Sequence, residues 1–153
     1  MNESIVILEK QFSYLKKVLS TRKEHFQESF ECSLFNGEST ASEVYVHGLR
    51  PLYKNSYKIL KPDFNDSSIK FEMNMNLNLI ERYIELYERT LQLLKQVQLK
   101  LTDEDLNKPL KVSVESKSQI SLREWICLNV MHTVTHIGQA LRLQALYIRN
   151  KLK

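Results

Sequence analysis

Apolar residues recur at steps of three and four along four long stretches of the chain, the spacing of amphipathic helices. The predicted helices run from about Ser4 to beyond Ser20, from 39–43 to about Leu60, from about Asn74 to Leu99, and from Ser121 to about Asn150. A weaker apolar pattern follows the first helix at Phe26, Phe30 and Leu34, and it indicates either a longer helix or a helix with a break. We therefore expect an all-α fold and a single domain spanning residues 1–153.

Capping signals mark the start of two of these helices. Thr40 with Glu43 fits a capping box, with Ser39 as a rival N-cap, and Ser121 with Glu124 fits a second one. These signals place the second helix shortly after residue 39 and the last helix at about 121.

Two prolines affect the second predicted helix. Pro62 follows its predicted end, whereas Pro51 lies inside it and cannot donate a hydrogen bond to the carbonyl of His47. Gly48 weakens the same turn. We expect a kink or a local loosening of the helix close to His47.

Two polar segments, 61–73 and 102–118, connect the last three predicted helices. Residues 110–114 alternate between apolar and polar, which predicts a short extended piece within the second connection. The connection 61–73 is long enough to run the length of a helical bundle. The pattern as a whole predicts a four-helix bundle with long connections between helices two and three and between three and four.

Composition and charge narrow the class of protein. Hydrophobic residues make up 42% and charged residues 26%, while Gly and Pro number only 3 each, too few for a turn-rich β-fold. The formal charge is +4, but basic and acidic residues are interleaved along the chain, which is typical of solvated helix faces and argues against nucleic-acid binding. No apolar run has the length of a membrane span, and the first ten residues include acidic side chains where a signal peptide would be basic. We expect a cytoplasmic protein, in which Cys32 and Cys127 are free thiols.

The last predicted helix carries the strongest chemical signal. His132 and His136 stand four residues apart, so both imidazoles leave one face of the helix, one turn from each other. The same spacing binds zinc in the HExxH motif, although no Glu follows the first His here. Steps of three and four extend this face into a stripe predicted to point at the interior: Ser121, Trp125, Leu128, His132, His136, Gln139 and Leu143. Spacing alone leaves two interpretations open, a pair of metal ligands or two core histidines bonded to backbone or to each other.

Two stretches resemble one known family. His132-x-x-x-His136-Ile137-Gly138-Gln139 is similar to the HxxxHRGQ ending of DinB/YfiT-like proteins, and residues 39–47, which end in His47, are similar to the start of that family's second helix. The resemblance implies a bundle in up-down-down-up order, a divalent metal held by His47, His132 and His136, and a homodimer. Family members include thiol-dependent transferases, isomerases and proteins described as hydrolases.

This chain departs from the family pattern at three points. Ile137 replaces the usual basic residue, Thr135 stands where a further histidine is common, and the tryptophan often found before the second helix is absent. These departures bear on the substrate more than on metal binding. Three imidazoles would leave a coordination position open, as in catalytic sites, and zinc or nickel is expected, with iron or manganese as alternatives.

Other side chains have weaker claims to a role in the site. Glu43, Gln139 and Asn129 could orient the histidines through their second ring nitrogens, or could be caps and solvated side chains. Tyr83 and Tyr87 could donate protons in the cavity, or could belong to the core. His25 lies among charged residues and is expected at the surface.

Three functional hypotheses follow. The first is a metal-dependent enzyme with an open three-histidine site, either a thiol-dependent S-transferase or a hydrolase, that acts on a small molecule such as a low-molecular-weight thiol. The second is a non-catalytic, metal-binding, dimeric helical module. The third is a helical protein without metal, whose histidines are structural.

Overall fold

The computed structural model describes residues 2–33, 38–63, 69–111 and 119–153. Within them the chain is mostly helical, which confirms the all-α prediction. The elements are α1 (Asn2–Thr21), a 3-10 turn (Lys23–His25), α2 (Phe26–Glu31), α3 (Ala41–Leu60), α4 (Leu79–Lys100), α5 (Asp103–Asn107), β1 (Pro109–Lys111), β2 (Gln119–Ser121) and α6 (Leu122–Lys151).

The apolar pattern that follows the first helix proves to be a break and not a longer helix. A 3-10 turn separates α1 from the short α2, which buries Phe26 and Phe30. The guanidinium of Arg22 holds this break against α6 by donating to the Leu141 carbonyl at 3.1 Å and to Gln144 Oε1 at 3.1 Å. The third residue of the pattern, Leu34, lies outside the described residues.

Both predicted capping boxes are present. The Thr40 hydroxyl accepts from the Glu43 backbone N–H at 3.1 Å, and Glu43 Oε2 accepts in return from the Thr40 N–H at 2.8 Å. Ser121 and Glu124 form the same reciprocal pair at the start of α6. Each box satisfies two N–H groups that a helix leaves without partners, so both starts were readable from the sequence.

The predicted start of the third helix at Asn74 is wrong. The helix α4 begins at Leu79, because Asn78 caps it in a box with Glu81. Before it, the Asn74 side chain accepts from the Asn76 N–H at 3.2 Å, a local bond that favours a turn over a helix. The apolar period runs on through this turn, which is why periodicity placed the start too early.

The second connection holds more structure than its polar composition predicted. A box of Thr102 and Asp105 starts the single-turn α5. The strand β1 then pairs antiparallel with β2, with Leu110 opposite Ile120. The predicted extended piece at 110–114 is thus present at its first two residues, and 112–114 lie outside the described residues.

The core lies between α1, α3, α4 and α6. Leucines of α1 and α4 fill one part of it, and a cluster of four aromatic rings fills another, comprising Phe26, Phe30, Tyr45 and Tyr83. Paired rings at centroid separations between 4.6 and 5.8 Å stabilise this region beyond their burial alone.

The predicted inward stripe of α6 is wrong in part: Trp125 and Leu143 are half-buried and pack against the core, but two other members face solvent. Leu128, placed in the inward stripe, is 56% exposed, and Gln139 is exposed as well. The buried face of α6 consists of Ile126, Val130, Thr133, Ile137, Ala140, Leu141 and Gln144. Apolar residues occur on nearly every side of α6, including the exposed Met131, so periodicity did not single out the buried one. His132 and His136 consequently lie half-buried at the edge of this face.

None of the helices in the described part of the chain is both long enough and apolar enough to cross a membrane.

Candidate metal centre

The three predicted histidines come together where α3 passes α6. Their ring centroids are 5.2 Å apart for His47 and His132, 4.8 Å for His47 and His136, and 4.3 Å for His132 and His136. One ligand-capable nitrogen from each ring lies within 4.8 Å of the other two. His47 is exposed and the other two are half-buried, so the cluster, here called the histidine triad, opens to solvent on the α3 side.

A glycine permits the close approach of the two helices. A Cβ at Gly48 would lie 2.5 Å from the Cβ of His136, a separation that packed carbon atoms cannot adopt. The Gly48 carbonyl also accepts from the buried Thr133 hydroxyl at 2.8 Å. Gly48, which weakens a helix by propensity, is therefore required here by the packing of α3 against α6.

A second polar contact fixes the same pair of helices farther along. Asn55 Nδ2 donates to Asn129 Oδ1 at 2.9 Å, and Asn129 Nδ2 donates to the Trp125 carbonyl at 2.7 Å. Asn129 is thus occupied between helices and does not orient a triad histidine. Together with the Gly48 contact, this bond sets the rotation of α6 relative to α3, and hence where the two α6 histidines point.

Two ring nitrogens of the triad are buried without a partner. Among the described residues, neither His132 Nε2 nor His136 Nδ1 has a hydrogen-bond partner, and both are sealed from solvent. A buried polar nitrogen with no partner costs about 1–3 kcal/mol. Three other buried side-chain atoms are in the same condition, on Glu85, Arg89 and Gln144, but each of these side chains makes a polar contact through another atom. Among the described residues, the triad is where unpartnered buried atoms belong to side chains that converge and could together bind a metal.

The electrostatics of His132 favour the form that binds metal. Burial lowers the pKa of His132 below its ordinary value, and the neighbouring rings of His136 and His47 lower it further. A hydrogen bond with the His47 backbone acts in the opposite direction. The His47 carbonyl is available for such contacts because Pro51 offers it no N–H. The net effect keeps the imidazole neutral to lower pH, and the neutral ring is the metal ligand.

The residues present fit a divalent metal. Imidazole nitrogens suit zinc, nickel, iron and copper. A tetrahedral zinc with Zn–N bonds of about 2.0–2.1 Å would hold its ligand nitrogens about 3.3 Å apart, so ring rotations of modest size bring the triad into range. The triad could therefore hold a divalent metal ion.

A cleft of about 700 Å³ leads to the triad. His47 and His136 form part of its wall, and its remaining lining is partly polar and partly apolar: Ser39, Ser42, Glu43, Val44, Val46, Arg50, Met73 and Gln139. The cleft has the size and mixed lining of a small-molecule site. The sequence offered one signal for it, since Arg50 follows His47 by three residues, but that signal was not used.

The other residues considered for the site occupy helix caps, the core or the surface. Glu43 caps α3, and Gln139 is exposed on the cleft wall. Tyr83 and Tyr87 belong to the core, each 1% exposed, and burial raises the pKa of Tyr83 to about 12. His25 is exposed, as expected. Cys32 and Cys127 are free thiols, and Cys127 lies within 3.4 Å of the Ser4 hydroxyl.

Among known proteins, no protein-family model matches the chain, and no curated protein matches it.

Proposed function

We propose that the histidine triad binds a divalent metal with an open coordination position, and that the protein is a metal-dependent thiol S-transferase or hydrolase. One observation carries the proposal: three histidines offer nitrogens within 4.8 Å of one another, and the triad contains two buried ring nitrogens without partners. A metal would satisfy groups that otherwise cost stability. Zinc or nickel is our first choice, and iron or manganese the alternative.

The chemistry follows from the open side of the site. A bound divalent metal lowers the pKa of a water or thiol at its free position and so supplies a nucleophile near neutral pH. The chain itself would place the second reactant, because the cleft meets the triad at His47 and His136. Its apolar lining, at Val44, Val46 and Met73, would pack against an apolar part of that reactant.

The proposal includes the bundle itself, a four-helix arrangement in up-down-down-up order like that of DinB/YfiT-like proteins. Contacts between the helices support it. Ser4 and Gln11 of α1, and Arg22 directly after its end, meet residues 127, 134 and 141 of α6 in the same order, as parallel neighbours do. Residues 48 and 55 of α3 meet 133 and 129 of α6 in reverse order, as antiparallel neighbours do.

The proposal also includes a homodimer. Large apolar side chains stay exposed on α1 and α6, among them Tyr14 at 59% and Met131 at 66%. The same surface favours a second candidate function, a metal-binding module that dimerises without catalysis. Light scattering on the purified protein tests the dimer, and a monomer at micromolar concentration would contradict it.

Metal analysis of protein purified without a histidine tag tests the metal. We expect about one equivalent per chain in the wild type and in His25→Ala, and almost none in His47→Ala. Equal metal content in all three proteins, or none in the wild type after reconstitution, would contradict the proposal.

A screen with low-molecular-weight thiols and electrophilic or hydrolysable substrates separates the enzyme from the non-catalytic module. Turnover should require metal and should disappear in His132→Ala. Turnover that survives this substitution would show that the activity lies elsewhere.

A further inference from the structure

Arg50 is placed to act on whatever enters the cleft. It follows His47 by three residues on α3, so the two side chains leave the same side of the helix, with Cβ atoms about 5–6 Å apart. Both residues line the cleft. A group held by Arg50 would therefore belong to a small molecule that also reaches the triad.

The guanidinium of Arg50 is oriented but not used by the protein. Its central carbon lies 5.8 Å from the centroid of the Phe71 ring, within cation–π range, and this contact steadies a side chain that is otherwise exposed. No hydrogen bond or ion pair joins Arg50 to the described part of the chain. Stacking on a ring occupies the flat face of a guanidinium and leaves its N–H edge free to bind an anion.

The other charged group of the cleft is already occupied. Glu43 Oε2 accepts the Thr40 N–H at 2.8 Å as part of the α3 capping box. It therefore does not neutralise Arg50, but it does add one negative charge to the same wall. A dianion such as a phosphate would meet repulsion from Glu43, whereas a carboxylate presents the single charge and the two oxygens that match one guanidinium.

We propose that Arg50 determines specificity by binding a carboxylate of the substrate, while the reacting group of that substrate lies at the histidine triad and its apolar body lies against Val44, Val46 and Met73. This role deepens the proposed function and rests on metal binding by the triad. The substrate class is thus a small carboxylic acid with an apolar segment between its carboxylate and its reacting group.

Two thiols that differ only in charge test the role of Arg50. The probes are 3-mercaptopropionate and its neutral amide, titrated into protein loaded with cobalt(II), and binding is followed by the thiolate-to-cobalt absorption band. We expect the carboxylate probe to bind about tenfold more tightly than the amide, the effect of one charge-assisted hydrogen-bond pair.

Three variants assign that preference to a residue. Arg50→Gln should remove it by weakening the carboxylate probe alone, and Arg50→Lys should keep part of it, since an ammonium supplies charge without the bidentate fork. Lys54→Gln removes the same charge one turn farther along α3, outside the cleft lining, and should leave the preference unchanged. Far-UV circular dichroism and the cobalt d–d bands confirm that each variant is folded and loaded.

The outcomes separate this inference from the metal proposal. Wild-type protein that takes up no cobalt overturns both. The role of Arg50 alone is overturned if cobalt-loaded wild type binds the two probes equally or binds neither. It is also overturned if Arg50→Gln loses cobalt or weakens the binding of both probes alike, or if Lys54→Gln removes the preference for the carboxylate probe as well.

Discussion

Two regions of the molecule bury polar side chains, and they differ in whether those side chains have hydrogen-bond partners. In the tyrosine region, the Tyr45 hydroxyl donates to the Tyr83 carbonyl at 2.7 Å. The Tyr87 hydroxyl lies 3.0 Å from the Leu8 carbonyl and 2.8 Å from Gln11 Oε1, and Gln11 in turn donates to the Val134 carbonyl at 2.8 Å. In the histidine region, His132 Nε2 and His136 Nδ1 are equally hidden but have no partner among the described residues.

The difference indicates what each region is for. Satisfied hydroxyls specify one arrangement of the core and require nothing further. Orphaned imidazole nitrogens destabilise the fold unless a ligand satisfies them, and proteins tolerate that cost chiefly at functional sites. Stability and binding measurements should therefore respond to metal in the histidine region and to hydroxyl removal in the tyrosine region.

Metal should produce the largest effect. At a free zinc concentration 1,000 times the dissociation constant, the free energy of unfolding should rise by about 4 kcal/mol, since only the native state assembles the triad. Chemical denaturation with and without metal measures this. His132→Ala should lose nearly all of the increase and His25→Ala none, and a rise of equal size in both variants would locate the binding elsewhere.

Glycine at position 48 should be the next most sensitive feature. Gly48→Ala puts a Cβ against His136, so the helices must separate, and the free energy of unfolding should fall by about 1–3 kcal/mol together with a loss of metal affinity. Gly138→Ala is the matched control, because a Cβ there meets nothing within 4 Å. That variant should instead gain about 0.5–1 kcal/mol from helix propensity. Equal effects of the two substitutions would remove the case for a required close approach.

Removing one tyrosine hydroxyl should have a smaller effect. Tyr45→Phe leaves the Tyr83 carbonyl without this donor in a buried site, and the free energy of unfolding should drop by about 1–2 kcal/mol. Metal affinity should not change. Tyr14→Phe serves as the control, since its side chain is 59% exposed. A loss of metal affinity in Tyr45→Phe would mean that the two regions are coupled.

Removing a surface ion pair should give the smallest effect. It shows how much the free energy of unfolding changes when a substitution touches neither region. Lys95 Nζ lies 2.6 Å from Glu9 Oε1, and both side chains are 45% exposed. Solvent screens such pairs, so Glu9→Gln should change the free energy of unfolding by about 0.5 kcal/mol or less. Denaturation of this variant and of wild type at low and high salt measures the change.

Much of the fold was readable from local signals. The capping boxes located the start of α6 at Ser121 to the residue, and the start of α3 to either Ser39 or Thr40, because cap chemistry involves only neighbouring positions. The box at Asn78 was overlooked, and α4 was started too early as a result. The inward face of α6 could not be read, because Leu128 and Met131 continue an apolar pattern on the solvent side.

The site was readable in part. The spacing of His132 and His136 follows from helix geometry, whereas the addition of His47 relied on a resemblance, since only the packing of α3 on α6 brings it near. That packing depends on Gly48, whose role is a contact with a residue distant in the chain and leaves no local signal. Arg50 stands three residues after His47, which is a local signal, whereas its contact with Phe71 in another segment could not be read from the sequence.

The contact between Gly48 and Thr133 joins positions 85 residues apart in the chain. A metal bound where α3 passes α6 would therefore connect the two ends of a very long loop that contains α4 and α5. Global unfolding would open this loop and must release the metal, so metal binding raises the free energy of global unfolding. Loading the triad would then protect the whole molecule against unfolding and proteolysis, and not the neighbourhood of the histidines alone.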